Sequence, residues 1–256
     1  MARTTPYGFR PVRVFLWGAP QTGRVSDGVQ APVAARIRGA AGLGLVAPPS
    51  LPLVPATSLA EPAWVAQAVA ARSGRTADPR VSATVWWYSV SAVLVTPVLA
   101  GLATGVPLSG QLADTSLAFR PDGLPVAAVS SAPGSDATAE LRSSLAAVVP
   151  VVAAAGRMGQ RPLWAIATDS IANQLLAMGR ALGDVPAVTA LAGPLAAAIG
   201  APLPVPRYVD VAGARFTRRA SCCLLVELPG GALCTSCPRR PPAERQALLE
   251  QAARWF

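Results

Sequence analysis

From residue 58 onward, the apolar and polar positions of the chain fall into segments that read as elements. Ser58-Leu59-Ala60-Glu61 has the spacing of a capping box, so a helix with Pro62 in its first turn is expected to run to about Arg72. Residues 81–113, VSATVWWYSVSAVLVTPVLAGLATGVPLSGQLA, carry no charge. The run is long enough for a membrane span. Ser82, Thr84, Ser89, Ser91 and Thr96 are scattered through it, however, and Pro97, Gly101 and Pro107 interrupt it, which favours a buried helix. Trp86, Trp87 and Tyr88 stand at one end and are expected to pack in the core. DTSLAF (114–119) and LPVAAVS (124–130) flank Arg120-Pro121-Asp122-Gly123. Pro121 presets φ and Gly123 accepts positive φ, so this segment should be a β-hairpin. A helix is expected from about Ala137 to Gly156, bent or broken near Pro150, and another from Pro162 to a C-cap near Gly183. VPAVTALAGPLAAAIG reads as a shorter third helix, and YVDVAGARFTRR as strand material turning at Gly213. PPAERQALLEQAARWF reads as a helix with Leu248, Leu249, Ala252 and Trp255 at helical spacing.

This order predicts an α+β fold: a mostly helical body, a short β-hairpin layer, and a small C-terminal hairpin module bearing the cysteines. Residues 1–57 have no sustained period and a proline-rich end, APPSLPLVPATS, so they read as an irregular or disordered N-terminal arm. The body is expected over 58–212 and the cysteine module, with the terminal helix, over 213–256. GAAGLG is not the G-x-G-x-x-G dinucleotide pattern and follows no clear strand.

Composition narrows the chemistry. Hydrophobic residues make up 52% and aromatics 5%, so the core is built largely from Ala, Val and Leu. The net charge is +9, and all 22 basic residues are arginine. Two readings of this charge stand open: the codon usage of a GC-rich genome, or attraction for an anionic ligand or an acidic protein partner. There is no basic helix, no aromatic-interleaved basic motif and no zinc-finger pattern, so nucleic acid is not an expected partner. The chain has no histidine. That excludes a Ser-His-Asp triad, a Cys-His dyad, His-ligated zinc and a Rieske centre. MARTTPYGFRPVRVFLWGAP lacks the apolar run of a signal peptide, which predicts a cytoplasmic protein with reduced thiols. The uncharged run leaves peripheral membrane association open.

All four cysteines lie in RRASCCLLVELPGGALCTSCPRR, residues 218–240. Clustered thiolates in a reducing compartment point to a soft metal. Cys234-Thr235-Ser236-Cys237 is a tight knuckle used by both zinc and iron–sulfur sites. Cys222 and Cys223 are adjacent, and adjacent side chains on a strand point to opposite faces. For both to reach one centre the backbone must turn, and a binuclear cluster is a wider target than a single ion. LLVEL (224–228), PGG and ALC could fold back as a hairpin that brings the two cysteine pairs together, with Glu227 exposed on it. Four thiolates can close a tetrahedral zinc site or a [2Fe–2S] cluster, and the adjacent pair is more easily accommodated by the cluster. A structural zinc knuckle of four cysteines in a non-enzymatic protein, disulfides and metal-free sensing thiols remain as alternatives.

The pattern C-C-x10-C-x2-C, preceded by arginines and containing Gly230-Gly231, resembles the signature of the FhuF-like ferric-siderophore reductases. Weaker likenesses are WWYSVSAVLVTPVLAGLATGVPL, LAFRPDGLP and LWAIATDSIAN, which together extend the resemblance loosely over 81–240. The resemblance implies a [2Fe–2S] cluster on Cys222, Cys223, Cys234 and Cys237. It further implies an oxidoreductase that hands one electron to siderophore-bound Fe(III), which is released as Fe(II) for iron assimilation. An iron–sulfur carrier or sensor without reductase activity is the alternative with the same cluster. Arg215, Arg218, Arg219, Arg239 and Arg240 flank the cysteines and are candidates for docking the ferric siderophore or tuning the cluster potential. Asp169 and Ser170 are candidates by family likeness. No flavin or nicotinamide motif is visible, so the electron is expected from a separate donor, a ferredoxin or a flavoprotein reductase.

Overall fold

The uncharged run forms the centre of the molecule. In the computed structural model, which describes residues 28–71 and 76–255, α1 spans Ala31–Arg36, α2 Pro62–Ala70, α3 Pro79–Leu94 and α4 Thr96–Thr104. They are followed by α5 (Ala137–Ala155), α6 (Arg161–Leu182), α7 (Val185–Ala190), α8 (Ala192–Ile199) and α9 (Pro242–Ala253). Pro97 sits in the first turn of α4, so it starts a new helix after a one-residue break. Gly105, at φ 71°, caps that helix in the left-handed conformation. Helix α3 packs on α6, as does α4, and α2 packs on α5. Trp86 and Trp87 are buried as expected, and the Trp87 indole donates to the Leu163 carbonyl at 2.9 Å. Two helical stretches, Pro79–Thr104 and Ala137–Ala155, are long and apolar enough to cross a membrane by length and composition. The first has 78% of its apolar window buried within the fold, which makes it a core element here.

A three-stranded antiparallel sheet lies against α3 and α4. The expected hairpin is β2 (Thr115–Phe119) and β3 (Pro125–Ser130), in register Thr115↔Ser130 with a bulge at Ala118/Phe119. Gly123 takes φ 78° and the Asp122 carboxylate accepts from the Leu124 amide, so the turn forms as its residues dictate. The third strand, β1 (Leu53–Pro55), pairs with β2 and lies outside the expected elements.

Several expectations need correction. The boundary at residue 57 is not a boundary: β1 belongs to the body sheet, and Val33 and Ile37 of the α1 segment enter the main core. Gln30, 2% exposed, ties this segment to the sheet. Its amide donates to the Leu45 and Ala128 carbonyls, and its Oε1 accepts from the Ser130 amide at 2.7 Å. The irregular arm predicted for 1–27 lies outside the described residues. Ser58 is no capping-box residue either. It falls in a 3-10 turn over Ala56–Ala60, and Glu61 is the N-cap of α2 without a side-chain bond. Pro150 does not break α5. The third short helix is two, α7 and α8.

The boundary at 212/213 also moves. Strands β4 (Tyr208–Val211) and β5 (Ala214–Thr217) pair across it, through a turn with Ala212 at φ 49° and Gly213 at φ 82°. This hairpin leans on α6, where the Tyr208 hydroxyl donates to the Ala172 carbonyl and Arg180 donates to the Arg215 carbonyl. Helix α9 packs on β4 with Leu249 buried, while Trp255, expected on its apolar stripe, is 85% exposed.

Candidate metal centre

Leaving β5, the chain crosses the middle of α6, and there a single carboxylate receives it. Asp169 is 1% exposed within the apolar helix. Its Oδ1 accepts from the Ala220 amide at 2.7 Å, and its Oδ2 accepts from the Ser221 amide at 3.1 Å and from Arg219 Nε at 3.3 Å. Burial pushes the Asp169 carboxyl above its ordinary value, against the pull of those amides and of the Arg219 charge. Ser170, its neighbour, bonds Ser91 Oγ on α3 at 2.8 Å and so serves helix packing.

The loop then reverses twice. Leu224 takes φ 59°, and Leu225–Glu227 form a 3-10 turn. The expected strand over 224–228 does not form, and no hairpin closes the cysteine segment. A left-handed residue directly after the cysteine pair ends any extended run there. It also supplies the turn that two adjacent ligands require. Leu228 is buried against Val81 and Val85 of α3, which pins the turn to the body. The return passes through Gly230 (φ 72°) and Gly231. A Cβ on Gly231 would stand 2.1 Å from the Leu225 carbonyl oxygen, so this close approach admits no side chain. Cys234–Cys237 is a tight turn, with the Cys237 amide donating to the Cys234 carbonyl at 3.1 Å.

This path brings the four thiols together in two pairs. Cys222 Sγ and Cys237 Sγ are 3.8 Å apart. Cys223 Sγ and Cys234 Sγ meet at one guanidinium nitrogen, Arg219 Nη1, at 3.6 and 3.5 Å. Among the described residues, no three His, Cys, Asp or Glu side chains gather as donors for one ion. Two sulfurs bound tetrahedrally at about 2.3 Å stand roughly 3.8 Å apart, which is the spacing of the first pair. Two thiolates at each of two metal positions is the demand of a binuclear cluster, and the residues present fit it. Residues 219–239 match the FhuF 2Fe-2S C-terminal domain. The FhuF segment therefore carries a [2Fe–2S] cofactor. None of the curated proteins matches the chain.

The arginines flanking the FhuF segment have different placements. Arg215 is turned away: it holds Asp210 through two bonds of 2.8 Å and Thr189 Oγ1 at 2.9 Å. Arg240 is a backbone clamp, donating to the Cys234 carbonyl at 3.0 Å and to the Leu233 carbonyl, and it pairs with Glu244. Arg218 is exposed. Arg239 is half-exposed and pairs with Glu227, and its charge is held further by a bond to Cys222. Glu227 is exposed, as expected, though on a 3-10 turn.

Arg219, a candidate for docking or for tuning the cluster potential, is the flanking arginine that turns inward. Its side chain is 4% exposed, and its Cζ lies 5.0 Å from the Tyr88 ring centre. Burial works against its charge, but Cys223, Tyr88 and Asp169 outweigh this and hold it above the ordinary arginine range. Burial likewise raises the Tyr88 hydroxyl. Tyr88 therefore does more than fill the core, the role its sequence context suggests. A doublet of arginines gives no sign of which one turns inward, and the lone carboxylate in the apolar run around Asp169 was the available clue that an interior cation exists. A separate cavity of about 410 Å³ is lined by Gln111–Ala113, Ala139, Glu140, Ser143 and Ser144, and none of the FhuF segment reaches it.

Proposed function

We propose that this protein is a cytoplasmic ferric-siderophore reductase. The observation that carries the reading is the match of the FhuF 2Fe-2S domain over the loop that gathers the four cysteines. Cys222, Cys223, Cys234 and Cys237 hold the cofactor, which when bound supplies one-electron transfer. The chain's own residues fix the conditions for it. Asp169 and the turns at Leu224 and Gly231 set the loop. Cys223 and Cys237 are buried, while Cys234 stays exposed, so one end of the cysteine set is open to an incoming acceptor or donor. Arg218, exposed on the same loop, offers positive charge to an anionic ferric chelate or an acidic donor protein.

Fe(III) is held by hard, often anionic oxygen donors, and these bind Fe(II) far more weakly. One electron from a ferredoxin or flavoprotein reductase leaves that donor oxidised by one equivalent. The same electron converts the chelated Fe(III) to Fe(II), which the chelator then releases. Anaerobically isolated protein is expected to be coloured and to contain about two iron and two sulfide atoms per chain. After reduction it should release Fe(II) from ferric chelates in the presence of a ferrous-specific dye. Colourless protein with less than one iron would overturn the cofactor assignment. A loaded, reducible protein that releases Fe(II) from no chelate would leave an electron carrier in its place.

A further inference from the structure

The two thiol pairs stand in unequal electrostatic surroundings. Cys223 and Cys234 share a donor, Arg219 Nη1, from a guanidinium almost fully withdrawn from solvent. Cys222 and Cys237 face each other without it. The cation on their side is Arg239, which interacts with Cys222 and whose backbone amide reaches Cys237, but its side chain is half-exposed and already matched by Glu227, so water and the glutamate weaken its field. Anchoring the loop does not account for Arg219. The Ala220 and Ser221 amides already fasten the loop to Asp169. Burying a guanidinium costs several kcal/mol unless charge and hydrogen bonds offset it. Asp169 occupies Nε, and the fork extends past it to the sulfurs. Nη2 has no hydrogen-bond partner among the described residues.

We infer that Arg219 is a positioning residue that divides the thiols two and two, Cys222 with Cys237 and Cys223 with Cys234, and whose buried charge makes the Cys223–Cys234 end the one that accepts added negative charge. The inference rests on reading the four cysteines as the ligands of the cofactor. Asp169 fixes the guanidinium from the body side and Tyr88 supports its face, so the bias is built in before any electron arrives. Cys234 is the exposed residue of the four cysteines. The favoured end is thus also the end that meets a partner.

The test uses anaerobically isolated holoprotein with Arg219→Gln, which removes the charge but keeps a planar donor, and Arg219→Lys, which keeps the charge. Iron and sulfide content, visible spectrum and midpoint potential are measured in a dye-mediated dithionite titration. Arg219→Lys should stay near the wild-type potential. Arg219→Gln, at unchanged iron content, should be at least tenfold harder to reduce, about 59 mV for a one-electron couple. A loaded Arg219→Gln protein at the wild-type potential overturns the inference. Wild-type protein without iron would instead sink the ligand assignment, so the two failures are distinguishable. If Arg219→Gln does not load, the serine variants decide. A serine oxygen is harder than a thiolate and favours the ferric state. Cys223→Ser and Cys234→Ser should therefore lower the potential more than Cys222→Ser and Cys237→Ser. Equal shifts, or the reverse order, overturn it.

Discussion

Asp169 joins the cysteine loop to the body through three hydrogen bonds and a buried charge pair. Replacing it with alanine leaves the Arg219 guanidinium buried without its counter-ion and two loop amides without an acceptor. Such a break costs about 3–5 kcal/mol. Asp169→Ala is therefore expected to lower the denaturant midpoint and to reduce iron loading together. A variant that loads normally with an unchanged melt would remove the carboxylate from this account. The sequence made Asp169 visible only as a charge in an apolar helix. Its partner, 50 residues further on, could not be read, because no local pattern says which of two adjacent arginines turns inward. The cysteines were legible for the opposite reason, since their spacing is itself the chemistry.

Elements with strong local punctuation were readable. The β2–β3 hairpin follows from Pro121, Asp122 and Gly123, and α6 from Pro162 and Gly183. The loop over 224–228 reads as a strand because Leu-Leu-Val-Glu-Leu is a short, mostly apolar run ahead of a Pro-Gly-Gly turn, whereas Leu224 is left-handed and Leu228 packs on α3. The start of α5 offers a check by pH. Glu140 accepts from the Gly110 and Ser135 amides at 3.0 Å and from the Ser135 hydroxyl at 2.9 Å, joining the 109–111 loop to the helix. Burial alone would raise its carboxyl, but these donors hold it below the ordinary glutamate value. A carboxylate depressed in the folded state contributes stability above its unfolded pKa, and that stability is lost as pH falls through the folded one. Glu140→Gln should cost about 2 kcal/mol at pH 7. The gap to wild type should close in denaturant melts taken down through the carboxylate range. A gap that is the same at pH 3 as at pH 7 would exclude the charge as its source.

At the scale of the molecule, the α+β class and the helical body were legible, while the domain limits were not. A three-residue strand such as β1 has too little pattern to announce itself, and it draws residues 28–57 into the body. The net charge of +9 gives the molecule a long-range field. Reduction of the loaded protein by an acidic ferredoxin should slow steeply as ionic strength rises from about 0.01 to 0.15 M, where the screening length shrinks from about 30 to 8 Å. A rate indifferent to salt would mean that charge does not guide this encounter.

The Asp169 tie also orders events in time. Ribosomal synthesis proceeds from the N-terminus at about 5–20 residues per second, so α6 is made seconds before the segment that docks on it. The cysteine loop therefore emerges after α6, onto a scaffold whose carboxylate is already in place. Misfolding of α6 would leave the cysteine loop without its seat, so iron loading should report on the folding of the body that precedes it.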